Sequence, residues 1–129
     1  MAQVKVYALR SSLSTLKDAL SDAIHESLIE AFGMPRDKKF QRFIALDRDD
    51  FVFPPDRSDN YTIVEISVFE GRSAASKRQL IMALFSRVGA ATGLSTQDLE
   101  ITIFETPRAN WGIRGKPGDE LALSYAVNV

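Results

Sequence analysis

The sequence predicts an α/β (α+β) fold made of a duplicated β-α-β unit, with a four-stranded mixed sheet and two helices on one face. Three observations predict it. Two stretches carry apolar residues at helical spacing, each is flanked by stretches that alternate apolar and polar residues, and the two sets superimpose without a gap at an offset of 60 residues. That offset sets Lys17 on Lys77, Leu20 on Leu80, Ile24 on Leu84, Leu28 on Val88 and Gly33 on Gly93. The repeat units span about residues 3–46 and 61–105 of a single domain covering 1–129.

The first strand starts at the second or third residue, where Val4, Val6 and Ala8 alternate with Gln3, Lys5 and Tyr7. The first residues of a domain usually gain little by ordering. Either the core needs this strand, or the terminal amine sits somewhere useful. The first helix follows from Leu13 through Leu16, Leu20, Ala23, Ile24, Leu28 and Ala31 to Gly33, with serines available as N-cap and a glycine for the left-handed C-terminal residue. A strand in "KFQRFIAL" closes the unit. In the linker "DRDDFVFPPDRSDN", Phe51 and Phe53 either make a brief strand or anchor the loop to the core.

The second unit repeats the order: the strand "YTIVEISVF", a helix from Ser73 through Leu80, Leu84, Val88 and Ala91 to Gly93, and the strand "LEITIFE". Strands joined through a helix run parallel, with right-handed crossovers. A loop, "TPRANWGIRGKPGDE", leads to "LALSYAVNV", which is able to pair as an edge strand. Two helices cover only one face of such a sheet. Ile63 and Phe69 oppose Val64, Ile66 and Val68, and Thr102 and Phe104 oppose Ile101 and Ile103, so an apolar second face remains for copies of the chain to bury. A homo-oligomer is expected on that ground.

With 129 residues, the chain is long enough for one core. A formal charge of −1 offers no bulk attraction to nucleic acid or to an anionic membrane. The absence of cysteine excludes disulfides and thiolate metal sites and is compatible with a reducing compartment. With no apolar run of membrane-spanning length and no leader pattern, a cytoplasmic location is expected. Asp47 to Asp50 lack partner ligands at metal spacing, and the sole histidine, His25, reads as a partly exposed helix residue. Gly115 to Gly118 form a G-x-x-G with no helix after it, which argues against a phosphate loop or an RNA clamp. No metal and no nucleic-acid partner are expected.

The duplicated unit, "GRS" at the second strand-to-helix turn (Gly71, Arg72, Ser73), "AFGMP" closing the first helix and "FETPRANWGIRG" after the last strand together resemble the tautomerase superfamily. The branch they resemble holds 4-oxalocrotonate tautomerase and malonate semialdehyde decarboxylase, and the resemblance covers nearly the whole chain. It implies a tautomerase-like fold, a homotrimer packed around its sheets, a small carboxylate substrate, no cofactor, and an amino-terminal proline whose amine acts as base or acid. Here Ala2 follows Met1, so removal of Met1 would leave a primary amine. Such an amine has an unperturbed pKa of about 8, lowered beside a cation such as Arg72 in a partly dry pocket. It can also condense with a carbonyl, while the rigidity of the proline ring is lost.

The resemblance implies that Arg72 binds the substrate carboxylate, for which its fork is suited. The same residue could instead cap a helix start or pair on the surface. The decarboxylase carries a further arginine two positions earlier, where this chain has Glu70, and that argues against the same two-arginine clamp. Its catalytic aspartate falls on Lys38 in a gapless match, with Asp37 one residue before. Asp37 is either a proton-handling carboxylate or a solvated turn residue. Trp111 either walls the pocket or packs in the core or a trimer interface. Arg108 and Arg114 either add positive charge to the pocket mouth or are solvated. The expected chemistry is enol–keto proton transfer on a small 2-oxo acid, moved by the Ala2 amine. Decarboxylation or hydration of a small 3-oxo or unsaturated acid uses the same parts, and a non-catalytic trimer that has lost the proline is the third reading.

Overall fold

In the computed structural model, which describes residues 1–129, the chain forms β1 (Ala2–Leu9), α1 (Arg10–Phe32), β2 (Gln41–Leu46), β3 (Thr62–Phe69), α2 (Ala74–Thr92) and β4 (Leu99–Thr106). A small hairpin of β5 (Gly112–Ile113) and β6 (Lys116–Pro117) follows. The main sheet has the order β2-β1-β3-β4, with β1 parallel to β2, β3 parallel to β4, and β1 antiparallel to β3. Each unit is thus a β-α-β, and the central antiparallel pair joins the two.

The period-2 pattern of the strands decides which face is covered. Val4, Val6 and Ala8 of β1 and Val64, Ile66 and Val68 of β3 are fully buried against Leu20 and Ile24 of α1 and Leu80, Leu84 and Val88 of α2. Both helices therefore lie on one face. The opposite face carries the Lys5–Glu65 ion pair and leaves Phe104 45% exposed. Phe69 departs from the expectation of an uncovered apolar residue: it is fully buried, because Met1, Val127 and Trp111 fold over that end of the sheet.

Local chemistry accounts for the ends of the helices. Ser73 caps α2 by accepting from the Ser76 backbone N–H at 3.1 Å. Helix α1 starts earlier than its apolar pattern suggests, with Leu9 at the N-cap and no side-chain cap, because β1 runs straight into it and the serines fall inside the first turns. Gly33 (φ 63°) and Gly93 (φ 75°) end the two helices in the left-handed conformation that side chains disfavour. His25 is buried rather than half-exposed, and its Nε2 lies 2.8 Å from the Arg36 carbonyl, tying α1 to the turn that follows.

Phe51 and Phe53 make no strand. They follow a 3₁₀ turn (Arg48–Asp50) and pack on Tyr61, with ring centroids 5.2–5.4 Å apart. The last segment makes no edge strand either. It runs back across the β3–α2 turn, held by the buried Val127 and by the Ser73 N–H, which donates to the Val129 oxygen at 2.9 Å. The offset of 60 continues past the strands: the 3₁₀ turn Arg108–Asn110 repeats Arg48–Asp50, and Trp111 stands where Phe51 stands.

Because Ile66 is fully buried at the centre of the sheet, Ile66→Ala should cost about 2–5 kcal/mol in chemical denaturation. A loss below about 1 kcal/mol would place the core elsewhere.

Candidate active site

The antiparallel pairing of β1 and β3 carries the start of the chain to the end of β3. Ala2 lies opposite Val68, so Met1 reaches Phe69, just before the chain turns into α2 through Gly71, Arg72 and Ser73. Met1 is buried, and its side chain packs with Phe69 and Val127 inside a ring of Trp111, Ile113, Leu123 and Tyr125. The Trp111 indole stands edge-on to Phe69, with centroids 5.0 Å apart, and its Nε1–H donates to Thr106 Oγ1 at 2.6 Å. Its one polar group is thereby satisfied inside an apolar wall.

Arg72 is only 4% exposed. Its Nη1 donates to the Phe69 carbonyl at 3.3 Å, its Nη2 makes a long contact of 3.7 Å with Met34 Sδ, and its guanidinium lies 4.7 Å from the centre of the Phe32 ring. Its Nε is buried and has no partner. Buried charges are ordinarily paired, because stripping a cation of water without compensation is costly. The acid that Arg72 feels, Glu105, is held by Lys77 at 2.6 Å instead. A desolvated guanidinium with an unmet donor and no carboxylate is chemically a place for an anion.

The Met1 α-amine sits beside this cation and donates to the Tyr125 hydroxyl. Burial, and then the charges of Arg72 and Arg108, pull its pKa from 8.0 to about 5. The amine is therefore neutral at pH 7 and able to accept a proton. Burial pushes the Tyr125 phenol up, against the opposing pull of Arg72, Arg108 and Arg114, so it stays protonated and remains a donor.

The structure thus brings Arg72 and Trp111 together around the amino terminus. Ala2 is buried, and its nitrogen is a backbone amide one residue along β1 from the terminal amine. Arg108 is half-buried, and its positive charge acts on the Met1 amine and the Tyr125 phenol. Its Nε and Nη2 donate to the Gly118 carbonyl at 3.2 and 3.1 Å, and Nη2 also donates to the Leu121 carbonyl at 2.9 Å. With its guanidinium 5.3 Å from the centre of the Phe69 ring, Arg108 clamps the last segment onto the site. A side chain at residue 118 would meet the Arg108 carbonyl at 2.3 Å, which explains the glycine there. Arg114 is exposed in the β5–β6 turn, at φ 51°. Asp37 is not part of the cluster: it is exposed on the turn after α1 and takes part in no hydrogen bond or ion pair. Residues that the sequence did not single out for the site are Tyr125, Phe69 and Met34. Of these, Met34 carried a signal as part of "AFGMP", and Phe69 reads only as an outward-facing apolar residue. No three His, Cys, Asp or Glu side chains converge as a metal site would require.

In a chain that retains Met1, the α-amine should titrate near 5 when followed by labelling with an isotopic methyl group. A midpoint near the ordinary 8.0 would mean that the terminus is not enclosed.

Comparisons with known proteins agree with the fold. A family model described as "Tautomerase enzyme" matches residues 38–114. A relative named "Probable tautomerase YusQ" from Bacillus subtilis (strain 168) is 25% identical over 97 residues, covering 71% of this chain and 76% of the relative. Among solved structures, a malonate semialdehyde decarboxylase, studied as wild type, as a mutant with its first proline changed to alanine, and in inactivated form, superimposes with a TM-score of 0.80 at 21% identity, covering 92% of this chain and 99% of that one. A fused 4-OT described as a symmetric trimer gives a TM-score of 0.72 at 19% identity, covering 87% of this chain and 91% of that one.

Proposed function

The chain belongs to the tautomerase superfamily, and on that premise we propose that it catalyses enol–keto proton transfer on a small 2-oxo acid, using an amino-terminal amine exposed on Ala2 by removal of Met1. The observation that carries this reading is the buried Arg72, with an unpartnered Nε, at the buried start of β1, where it acts on the terminal amine. Arg72 holds the substrate carboxylate. Phe69 and Trp111 form the apolar wall. With Met1 gone, the volume its side chain fills becomes available to the substrate, and the terminal nitrogen steps back by about one residue, ~3.4 Å, along β1.

The step is balanced within the site. The neutral amine takes the proton from the enol hydroxyl, the electrons of the O–H bond re-form the carbonyl, and the resulting ammonium returns a proton to C3 of the former double bond. Burial and a nearby guanidinium both favour the neutral form of an amine, which is the form this step needs. Asp37 lies outside this scheme and is given no role in it.

We also infer that the chain forms a homotrimer through the sheet face away from the helices. The support is the exposed Phe104 and half-buried Ile63 on that face, together with the symmetric trimer reported for the fused 4-OT. The departures at Ala2, Glu70 and Lys38 favour a second reading, a trimer kept without catalysis.

Ketonisation of an aryl enolpyruvate, followed spectrophotometrically, separates the two. Protein that starts at Ala2 should exceed the solvent rate, and a control with extra residues before Ala2 should not. Loss of a charge-assisted grip in Arg72→Ala should lower kcat/KM by about 10- to 100-fold. Equal background rates in all three samples would support the non-catalytic trimer. Ile63→Lys should convert trimers to monomers in sedimentation velocity, and trimers that persist would move the interface off this face.

A further inference from the structure

We propose that Tyr125, on the segment that follows the last repeat, is a further catalytic residue: its hydroxyl donates to the 2-oxygen of the substrate while Arg72 holds the carboxylate. This rests on the functional reading above and adds the group that receives the charge developing in the reaction. Removing the enol proton leaves negative charge on the 2-oxygen; Arg72 is engaged with the carboxylate, and the ammonium must give its proton to C3, so a further donor at that oxygen is useful throughout the transfer. A donor aimed at that oxygen lowers the barrier because the charge is larger in the transition state than in the bound enol.

Three independent observations place Tyr125 there. Its hydroxyl is the partner of the Met1 α-amine, on which the Arg72 charge also acts. The hydroxyl accepts from that amine and donates to no protein group, so removal of Met1 leaves a half-buried O–H facing the vacated volume, where a substrate oxygen can accept from it. The ring is also fixed in place. Tyr125 packs with both the helix-facing core and the Met1–Phe69 cluster, and the segment is pinned on both sides of it by Arg108 on the carbonyls of Gly118 and Leu121, by buried Val127, and by the Ser73 N–H on Val129. Lastly, Arg72, Arg108 and Arg114 all act electrostatically on the phenol, and burial outweighs them, so the proton it must donate is present at neutral pH.

A 2-oxo acid suits this pair of donors. Its carboxylate and 2-oxygen sit on adjacent carbons, and the phenol and the Arg72 charge both act on the Met1 amine. An acid that lacks the 2-oxygen meets only Arg72.

The test uses the Met1-free chain and Tyr125→Phe, with the thermal midpoint and trimer content of each measured first. Ketonisation of the aryl enolpyruvate should fall tenfold or more in kcat in the variant. Affinity for the product aryl 2-oxo acid should weaken, while affinity for the matching arylpropanoate, which has the carboxylate alone, stays within twofold. Site-specific 3-fluorotyrosine at 125, which keeps the shape and makes the phenol more acidic, should preserve at least half of the wild-type rate and thereby exclude a packing effect. Wild-type activity with an unchanged rate in Tyr125→Phe would overturn the assignment and leave the proposed function intact. So would equal weakening toward both acids, since that is what a structural role predicts. A wild-type chain without activity would overturn both.

Discussion

The register between β1 and β3 is the constraint on which the rest depends. Ala2 opposite Val68 puts the first residue of the sheet beside the last turn of β3, and Met1 beside Phe69. A slip of one residue would turn Val4, Val6 and Ala8 from the helix layer to the open face. Their complete burial makes that slip prohibitive. The core therefore sets the position of the terminal amine to within one residue, with no contribution from the site itself. Ordering a terminus costs about 1–2 kcal/mol per residue in backbone entropy, and the burial of Met1, Ala2 and Val4 offsets it.

The two halves share a backbone but not a chemistry. At the offset of 60, Ser12 stands on Arg72, Tyr61 on Met1, Phe51 on Trp111 and Arg48 on Arg108. In the first half, every one of these polar groups is consumed locally. The Ser12 hydroxyl donates to Asn60 Oδ1 at 3.0 Å, Arg48 pairs with Asp59 at 2.8 Å, and Tyr61 continues the chain where the second half has an end. Only the second half keeps a guanidinium without an acid, next to a free amine. Duplication built two equivalent corners, and side-chain substitution left one of them with unmet hydrogen-bonding capacity.

The fold was legible because its signals are periodic. Alternation in β1 and β3, the three-and-four spacing of α1 and α2, and Gly33 and Gly93 each report local geometry, and the repetition supports each assignment with a second copy. What escaped was set by tertiary contact. Phe69 reads as outward-facing by alternation, and only the returning segment buries it. The serines after Leu9 read as caps, but β1 enters α1 without a break. Arg72 and Trp111 could be named from the resemblance, whereas Tyr125 lies in an aperiodic stretch beyond the repeat, where no spacing rule reaches. His25 shows the same limit: its burial comes from the Arg36 carbonyl in the next turn, not from its place on the helix.

The electrostatics of the second corner depend on what does not pair with Arg72. Glu105, at the end of β4, influences the Arg72 guanidinium, and in a low-dielectric setting the pair would neutralise each other. Lys77 prevents that by holding Glu105 at 2.6 Å, an ion pair that is itself only partly exposed. In the first half, Ala45 stands where Glu105 does, and Lys17 lies over the Phe43 ring instead. The lysine is common to both halves, and only the second half supplies the acid that pairs with it. Their mutual satisfaction leaves Arg72 cationic and unpaired, and an unpaired Arg72 both attracts an anion and helps keep the neighbouring amine neutral. Were Glu105 to turn to Arg72, the corner would gain an internal ion pair and lose both properties. The partly exposed pair occupies Glu105, and Arg72 is left without an acid of its own.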